Sequence, residues 1–263
     1  MGSRPETRVG PGAARPAFDA RSLLFWPALP LIAAQGLWLR RTAYRAPPAT
    51  GAVRGRAGNG PPLHLLALGD SITVGVGLQR LDEALPAQLA AVLSARLERE
   101  VHWCTGGRNG ATSRHLRRQI GEHGTDLGAA DLILISIGVN DATGLRRRAR
   151  VAEDLDAALD ALRAANPRVP IMLAGLPPLQ SFPVLPSPLR QLLGLRARQL
   201  DGLLAALAQS RAGVLHLPMP LVPAPGQFAA DGFHPNAAAC RQWAATLVDR
   251  LPGSLLQTIA VGG

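Results

Sequence analysis

The stretch Leu63-His64-Leu65-Leu66-Ala67-Leu68-Gly69-Asp70-Ser71-Ile72-Thr73-Val74-Gly75-Val76-Gly77 decides the fold. It opens as a short, nearly continuous apolar run with the length of a buried strand. Glycines follow Ser71, and apolar residues at Leu85, Leu89, Val92 and Leu97 then take up a helical spacing. Ser71 therefore stands where a strand gives way to a loop, at the carboxyl end of an expected parallel sheet. In open α/β folds ligands bind in that crevice. Taken alone, Gly69-Asp70-Ser71 reads equally well as a plain turn, since all three residue types favour turns.

Working outward, further strands are expected at His102-Trp103-Cys104, at Asp131 to Ile137, at Val169 to Ala174 and at Gly213 to Leu217. Val151 to Ala165 carries helical periodicity through Leu155, Leu159 and Leu162, with Glu153 and Asp154 near its start and Asn166-Pro167 at its end. A second helical pattern runs through Leu192, Leu193, Leu200, Leu203, Leu204 and Leu207. Strands alternating with helices predict an α/β protein of three layers, a parallel sheet wrapped on both faces. The globular part, about 200 residues, suffices for one core. No internal repeat is visible.

Far downstream of Ser71, Asp231-Gly232-Phe233-His234-Pro235-Asn236 sets a carboxylate and an imidazole three residues apart, before an expected last helix. A serine hydroxyl becomes a useful nucleophile when a base takes its proton, and a carboxylate fixes the tautomer of that base. Gly138-Val139-Asn140-Asp141 follows one strand, and Thr105-Gly106-Gly107-Arg108-Asn109-Gly110 follows another. Backbone amides of a glycine turn and an amide side chain can meet the oxyanion of a tetrahedral intermediate without bringing a countercharge. Each segment also has a plainer reading: Asn140 as a helix cap, the glycines as a sharp turn, His234 as a structural residue.

Taken in order, Gly69-Asp70-Ser71, the Gly107 turn, Gly138-Val139-Asn140-Asp141 and Asp231-Gly232-Phe233-His234-Pro235 resemble the blocks of the GDSL or SGNH hydrolases. The similarity spans roughly residues 62 to 250. It implies a flavodoxin-like, five-stranded parallel sheet, with Ser71 as nucleophile, His234 as general base and Asp231 as its orienting carboxylate. It also implies an oxyanion hole built from the Ser71 and Gly107 amides and the Asn140 side chain. Thr105 stands where many relatives carry an asparagine, two residues before the glycine. The expected activity is hydrolysis of lipid or small acyl esters. An acyltransferase using the same triad is the alternative, followed by a non-catalytic module that binds membrane surfaces.

Other chemistries fit poorly. There is no Gly-x-Ser-x-Gly elbow, and Arg80 stands where a dinucleotide fingerprint needs its third glycine. The chain contains no lysine, which rules out a Gly-Lys-Ser/Thr phosphate loop. Cys104 and Cys240 match no zinc spacing and read as buried thiols, so neither a metal nor a cofactor is expected. The formal charge of +10 is carried by arginines spread along the chain and does not argue for nucleic acid. The one dense run, Arg146-Arg147-Arg148-Ala149-Arg150, could face phosphate head groups, an anionic membrane, an acidic substrate, or only solvent.

Leu176 to Leu189 is apolar yet too rich in proline for a helix or a central strand. It is expected to wall an acyl pocket through Phe182 and Leu185, or else to serve as a rigid connector. Residues 1 to 21 are read as disordered, 46 to 61 as a linker, 62 to 253 as the hydrolase domain and 254 to 263 as a tail. Between them, 22 to 45 holds an apolar run, Ser22 to Leu39, followed by Arg40, Arg41 and Arg45. That run is marginal for spanning a bilayer and suits membrane association. Packing on the hydrolase domain is the alternative. The denser arginines on its C-terminal side would keep the domain cytoplasmic; a soluble, periplasmic or secreted protein is the other option. Composition does not speak to oligomeric state.

Overall fold

A computed structural model describes residues 28–42, 44–219, 224 and 226–261. In chain order its elements are α1 (Leu29–Thr42), β1 (Arg54–Ala57), β2 (Pro62–Gly69), α2 (Leu85–Leu97), β3 (Glu100–Thr105), α3 (Leu116–Glu122), α4 (Gly124–Ala129), β4 (Leu132–Ser136), α5 (Val139–Thr143), α6 (Arg148–Ala165), β5 (Ile171–Ala174), α7 (Leu189–Gln209), β6 (Val214–Leu217), α8 (Ala237–Asp249) and α9 (Gly253–Val261).

The strands form one six-stranded sheet in the order β1-β3-β2-β4-β5-β6. From β3 to β6 all neighbours are parallel, and β1 pairs with β3 antiparallel. Apolar residues on the two faces of each strand explain the layering. Leu66, Leu68, Ile133, Ile135, Ile171 and Leu173 point to a core shared with α3, α4, α6 and α7. Leu63, Leu65, Leu132, Leu134 and Met172 point to the opposite core, covered by α2, α8 and α9. Strands buried on both faces read as continuous apolar runs, which is why they were visible in the sequence.

Three expectations are corrected. The parallel sheet has the expected five strands, but a sixth joins its edge from within the stretch read as a linker. Arg54-Gly55-Arg56-Ala57 has no apolar alternation to announce a strand. It is held by ladder bonds to β3 and by Trp103, whose indole lies so close to Gly55 that an added Cβ would stand 2.7 Å from the ring. Pro47 and Ala49, also in that stretch, bond to the backbone of Gly77 and Gly75 and so brace the loop after Ser71. The expected tail instead forms most of α9, where Ile259 is buried and Leu255 and Leu256 pack on the core. Its terminal carbonyls accept hydrogen bonds from Arg99.

Residues 1 to 21 lie outside the described residues, as do the first residues of the apolar run, up to Pro27. The described part of that run, in α1, docks on the domain. Ile32 is buried, and Gln35 donates to the Ser187 carbonyl and accepts from the Leu189 N–H. No helix among the described residues is long and apolar enough to cross a membrane.

Candidate active site

Gly69 ends β2 with φ +145°, and an added Cβ would lie 1.9 Å from the Ser136 carbonyl oxygen. Only glycine lets the chain pass β4 this closely. The side chain of Gln119 secures the passage, accepting from the Gly69 N–H at 2.9 Å and donating to its carbonyl at 2.8 Å. The next residues turn sharply: Asp70 N–H bonds to Ser136, and the Thr73 N–H and hydroxyl both return to the Asp70 carbonyl. Ser71 is thereby held at the carboxyl end of the sheet, buried.

Asp231 and His234 come from the turn before α8, whose N-terminus is capped by Asn236 accepting from the Ala239 N–H. Asp231 Oδ1 accepts from the N–H groups of Phe233 and His234, both at 2.9 Å. Its other oxygen lies 2.5 Å from His234 Nδ1. A carboxylate can only accept, so Nδ1 carries the proton and Nε2 presents its lone pair. That Nε2 stands 3.0 Å from Ser71 Oγ. Burial pushes the Asp231 carboxyl upward, but hydrogen bonds from the His234 ring and from the two backbone N–H groups outweigh it and hold the group below the usual carboxylate range. Behind the imidazole, Gly77 with φ +88° allows Ala229 and His234 to pack close.

Two further segments flank the turn that holds Ser71. The loop after β3 is tied down by the Gly106 N–H to Ala67, the Arg108 N–H to Gly69 and the Thr105 hydroxyl to the Thr73 carbonyl. Thr105 thus anchors the loop with its own side chain. Among the described residues, the N–H groups of Ser71 and Gly107 have no protein acceptor. Asn140, in α5, donates one Nδ2 hydrogen to the Ala111 carbonyl at 2.9 Å, which leaves the other available.

Beneath these loops Asp141 is fully buried. It accepts from the Ser113 N–H, the Ser113 hydroxyl and Arg146, which also pairs with Asp154. Arg146 therefore serves an internal network, and Arg150 of the same run pairs with Glu153. Asp70, buried next to the serine, is pushed up to about 7 by burial, with the Ile72 N–H and nearby His234 opposing the shift. Burial also raises the thiols, Cys104 to about 11 and Cys240 to about 12, so neither offers a thiolate nucleophile at neutral pH.

A cavity of about 10 Å³ lies against Ser71 and His234, bounded by Val139, Pro177, Phe182 and Phe233. Phe182 is buried edge-on to Phe228 and Phe233, with ring centroids 5.1 and 5.2 Å away. Leu185 does not line this cavity. It packs in the core beside α7, where its N–H bonds to the Phe182 carbonyl. The hydrogen-bonding roles of Gln119, Ser113, Asp141 and Arg146 were not expected from the sequence, although Asp141 and Arg146 stand in motifs singled out there. Gln119 left a signal of its own, as the one polar residue on the buried face made by Leu116 and Ile120.

The family model for the GDSL-like Lipase/Acylhydrolase family matches residues 67–242, from β2 into α8. The chain belongs to this family. A GDSL-like lipase/acylhydrolase is a carboxylester hydrolase, and the turns assembled around Ser71 lie within the matched span. Solved structures share the fold. The lipase Lip_vut3 from a goat rumen metagenome is 19% identical with TM-score 0.60, over 73% of this chain and 99% of that one. A carbohydrate esterase family 3 protein from Talaromyces cellulolyticus is 19% identical with TM-score 0.54, over 75% and 98%. A phospholipase A1 from Streptomyces albidoflavus is 18% identical with TM-score 0.52, over 71% and 98%. No curated protein sequence matches the chain significantly.

Proposed function

We propose that this GDSL-like hydrolase is a serine esterase working through a Ser71–His234–Asp231 triad and an acyl-enzyme intermediate. The observation that carries the reading is the hydrogen-bonded line from Ser71 Oγ through the imidazole to the buried Asp231 carboxylate. His234 Nε2 takes the Ser71 proton as Oγ attacks the ester carbonyl carbon, and Asp231 steadies the imidazolium that forms. The carbonyl oxygen becomes an oxyanion that accepts from the Ser71 and Gly107 N–H groups and the free Asn140 Nδ2 hydrogen. The C–O bond to the alcohol then breaks, and the imidazolium returns its proton to the leaving oxygen. Water, deprotonated by His234, releases the acid by the same route. General-base assistance supplies roughly a hundred- to ten-thousand-fold, and each oxyanion donor roughly a hundred- to a thousand-fold.

The narrow cavity beside Ser71, closed by Phe182, supports short acyl groups such as acetyl as the preferred substrates. Association with an anionic membrane surface is part of the same reading. Around α1 the side chains of Leu29, Leu31, Leu37 and Trp38 are exposed, with Arg40 and Arg41 in its last turn. Exposed apolar side chains beside arginines suit a helix lying in the interface.

A fluorophosphonate probe tests the chemistry. It is expected to add to Ser71, with loss of nitrophenyl acetate hydrolysis, and Ser71→Ala is expected to abolish both labelling and turnover. Labelling or turnover that survives this substitution would reject the triad.

A further inference from the structure

Away from Ser71, the end of β3, the turn between α3 and α4, and α4 itself bring together a second group of reactive side chains. Asp126 Oδ2 lies 3.1 Å from His123 Nδ1 and 3.7 Å from Cys104 Sγ. One ligand atom from each of the three residues lies within 4.8 Å of the others. We propose that Cys104, His123 and Asp126 form a binding site for a zinc-class divalent cation, with Arg54 as the side chain that must swing aside to admit it.

The geometry suits tetrahedral coordination. With zinc about 2.3 Å from sulfur and about 2.1 Å from nitrogen and oxygen, ligand edges are about 3.4 Å for N···O and about 3.6 Å for S···O. Both edges at Asp126 therefore fall within about 0.3 Å of a formed site, and the Cys104–His123 edge lies within 4.8 Å. The donor set is selective as well. Thiolate and imidazole favour zinc or cobalt over calcium and magnesium, which want oxygen. Thiolate plus carboxylate neutralises a dication. As the sulfur–metal bond forms, the Cys104 proton leaves to solvent, and the His123 proton exchanges from Nδ1 to Nε2. The fourth position stays open to water.

An approach path exists. A cavity of about 320 Å³ reaches Cys104 and Asp126 and is lined also by Arg54, His64 and His102. Arg54, on the edge strand β1, pairs with both Asp126 oxygens, yet its side chain is 61% exposed and free to turn outward. A cation entering the site takes over the charge that the guanidinium now supplies. The spacing escaped notice in the sequence because one cysteine, one histidine and one aspartate from separate elements make no zinc motif.

The rival is an internal network in which Arg54, His123 and Cys104 simply satisfy Asp126. The two readings differ in the effect of removing Arg54. Full-length protein, reduced and free of metal, is titrated with Co2+ and then with Zn2+. Wild type is expected to bind one Co2+ with a thiolate-to-cobalt charge-transfer band that Zn2+ displaces. Arg54→Ala is expected to bind several-fold more tightly, while His123→Ala and Asp126→Asn bind at least tenfold more weakly. Cys104→Ser is expected to lose the band and Cys240→Ser to keep it, with circular dichroism showing every variant folded. Absence of the band from both wild type and Arg54→Ala overturns the site, as does a band that survives Cys104→Ser. Neither result bears on ester hydrolysis at Ser71.

Discussion

A side chain on residue 107 would collide with Thr73: an added Cβ stands 1.7 Å from Thr73 Oγ1. Thr73 is fully buried, and its hydroxyl is committed to the Asp70 carbonyl at 2.8 Å, so it cannot yield cheaply. The absence of a side chain therefore lets Gly107 pack directly on Thr73 and the Asp70 carbonyl, in the turn that holds Ser71. Gly107→Ala is expected to displace the backbone amide and lower kcat by roughly a hundred- to a thousand-fold. Steady-state kinetics on nitrophenyl acetate, with folding checked by circular dichroism, measures this.

Phe182 lines the small cavity that also reaches Ser71 and His234, whereas Leu185 packs in the core. Phe182→Ala is expected to raise kcat/KM for hexanoyl relative to acetyl esters. Leu185→Ala is expected to leave that ratio unchanged while costing stability, about 2–5 kcal/mol for a buried leucine. Equal ratios in both variants would remove Phe182 from the acyl site.

Arg146 supports Asn140 indirectly, through the buried Asp141 and its bonds to Ser113. Arg146→Met leaves the Asp141 charge short of a partner, at a cost of about 3 kcal/mol. Urea denaturation is expected to show that loss, with Arg147→Met and Arg148→Met close to neutral.

Asp70 gives a pH signature. Its carboxyl is raised from the ordinary 3.8 to about 7 by burial. Between these values the unfolded chain has released the proton and the folded chain has kept it, so stability falls as pH rises through this window. Below about pH 4 both states are protonated and the contribution is fully present. Asp70→Asn removes the titration. The melting temperature of the variant relative to wild type is therefore expected to climb between pH 4 and pH 8.

Much of the fold was legible because each central strand is buried on both faces and shows as an apolar run. The segments that hold Ser71, Gly107 and Asn140 were legible because each directly follows a strand, and the Asp231–His234 segment because it sets two polar side chains three residues apart before a helix. The edge strand Arg54–Ala57 was not: a strand of arginine and glycine owes its place to β3 and Trp103, which only pairing supplies. The role of Arg146 was hidden for a related reason. An arginine run looks the same in sequence whether its members meet solvent or a buried carboxylate.

By itself, then, the sequence determined the alternating α/β architecture, the family and the turns that hold Ser71, Asp231 and His234, because burial and turn preference are local properties of short segments. The tertiary structure alone decided that Ser71 and His234, 163 residues apart, meet at 3.0 Å. It also decided that Phe182 rather than Leu185 shares a cavity with Ser71, and that Arg146 turns inward. Such contacts follow from strand order and loop packing, which bring distant strand ends to one edge of the sheet, and no local pattern encodes those distances.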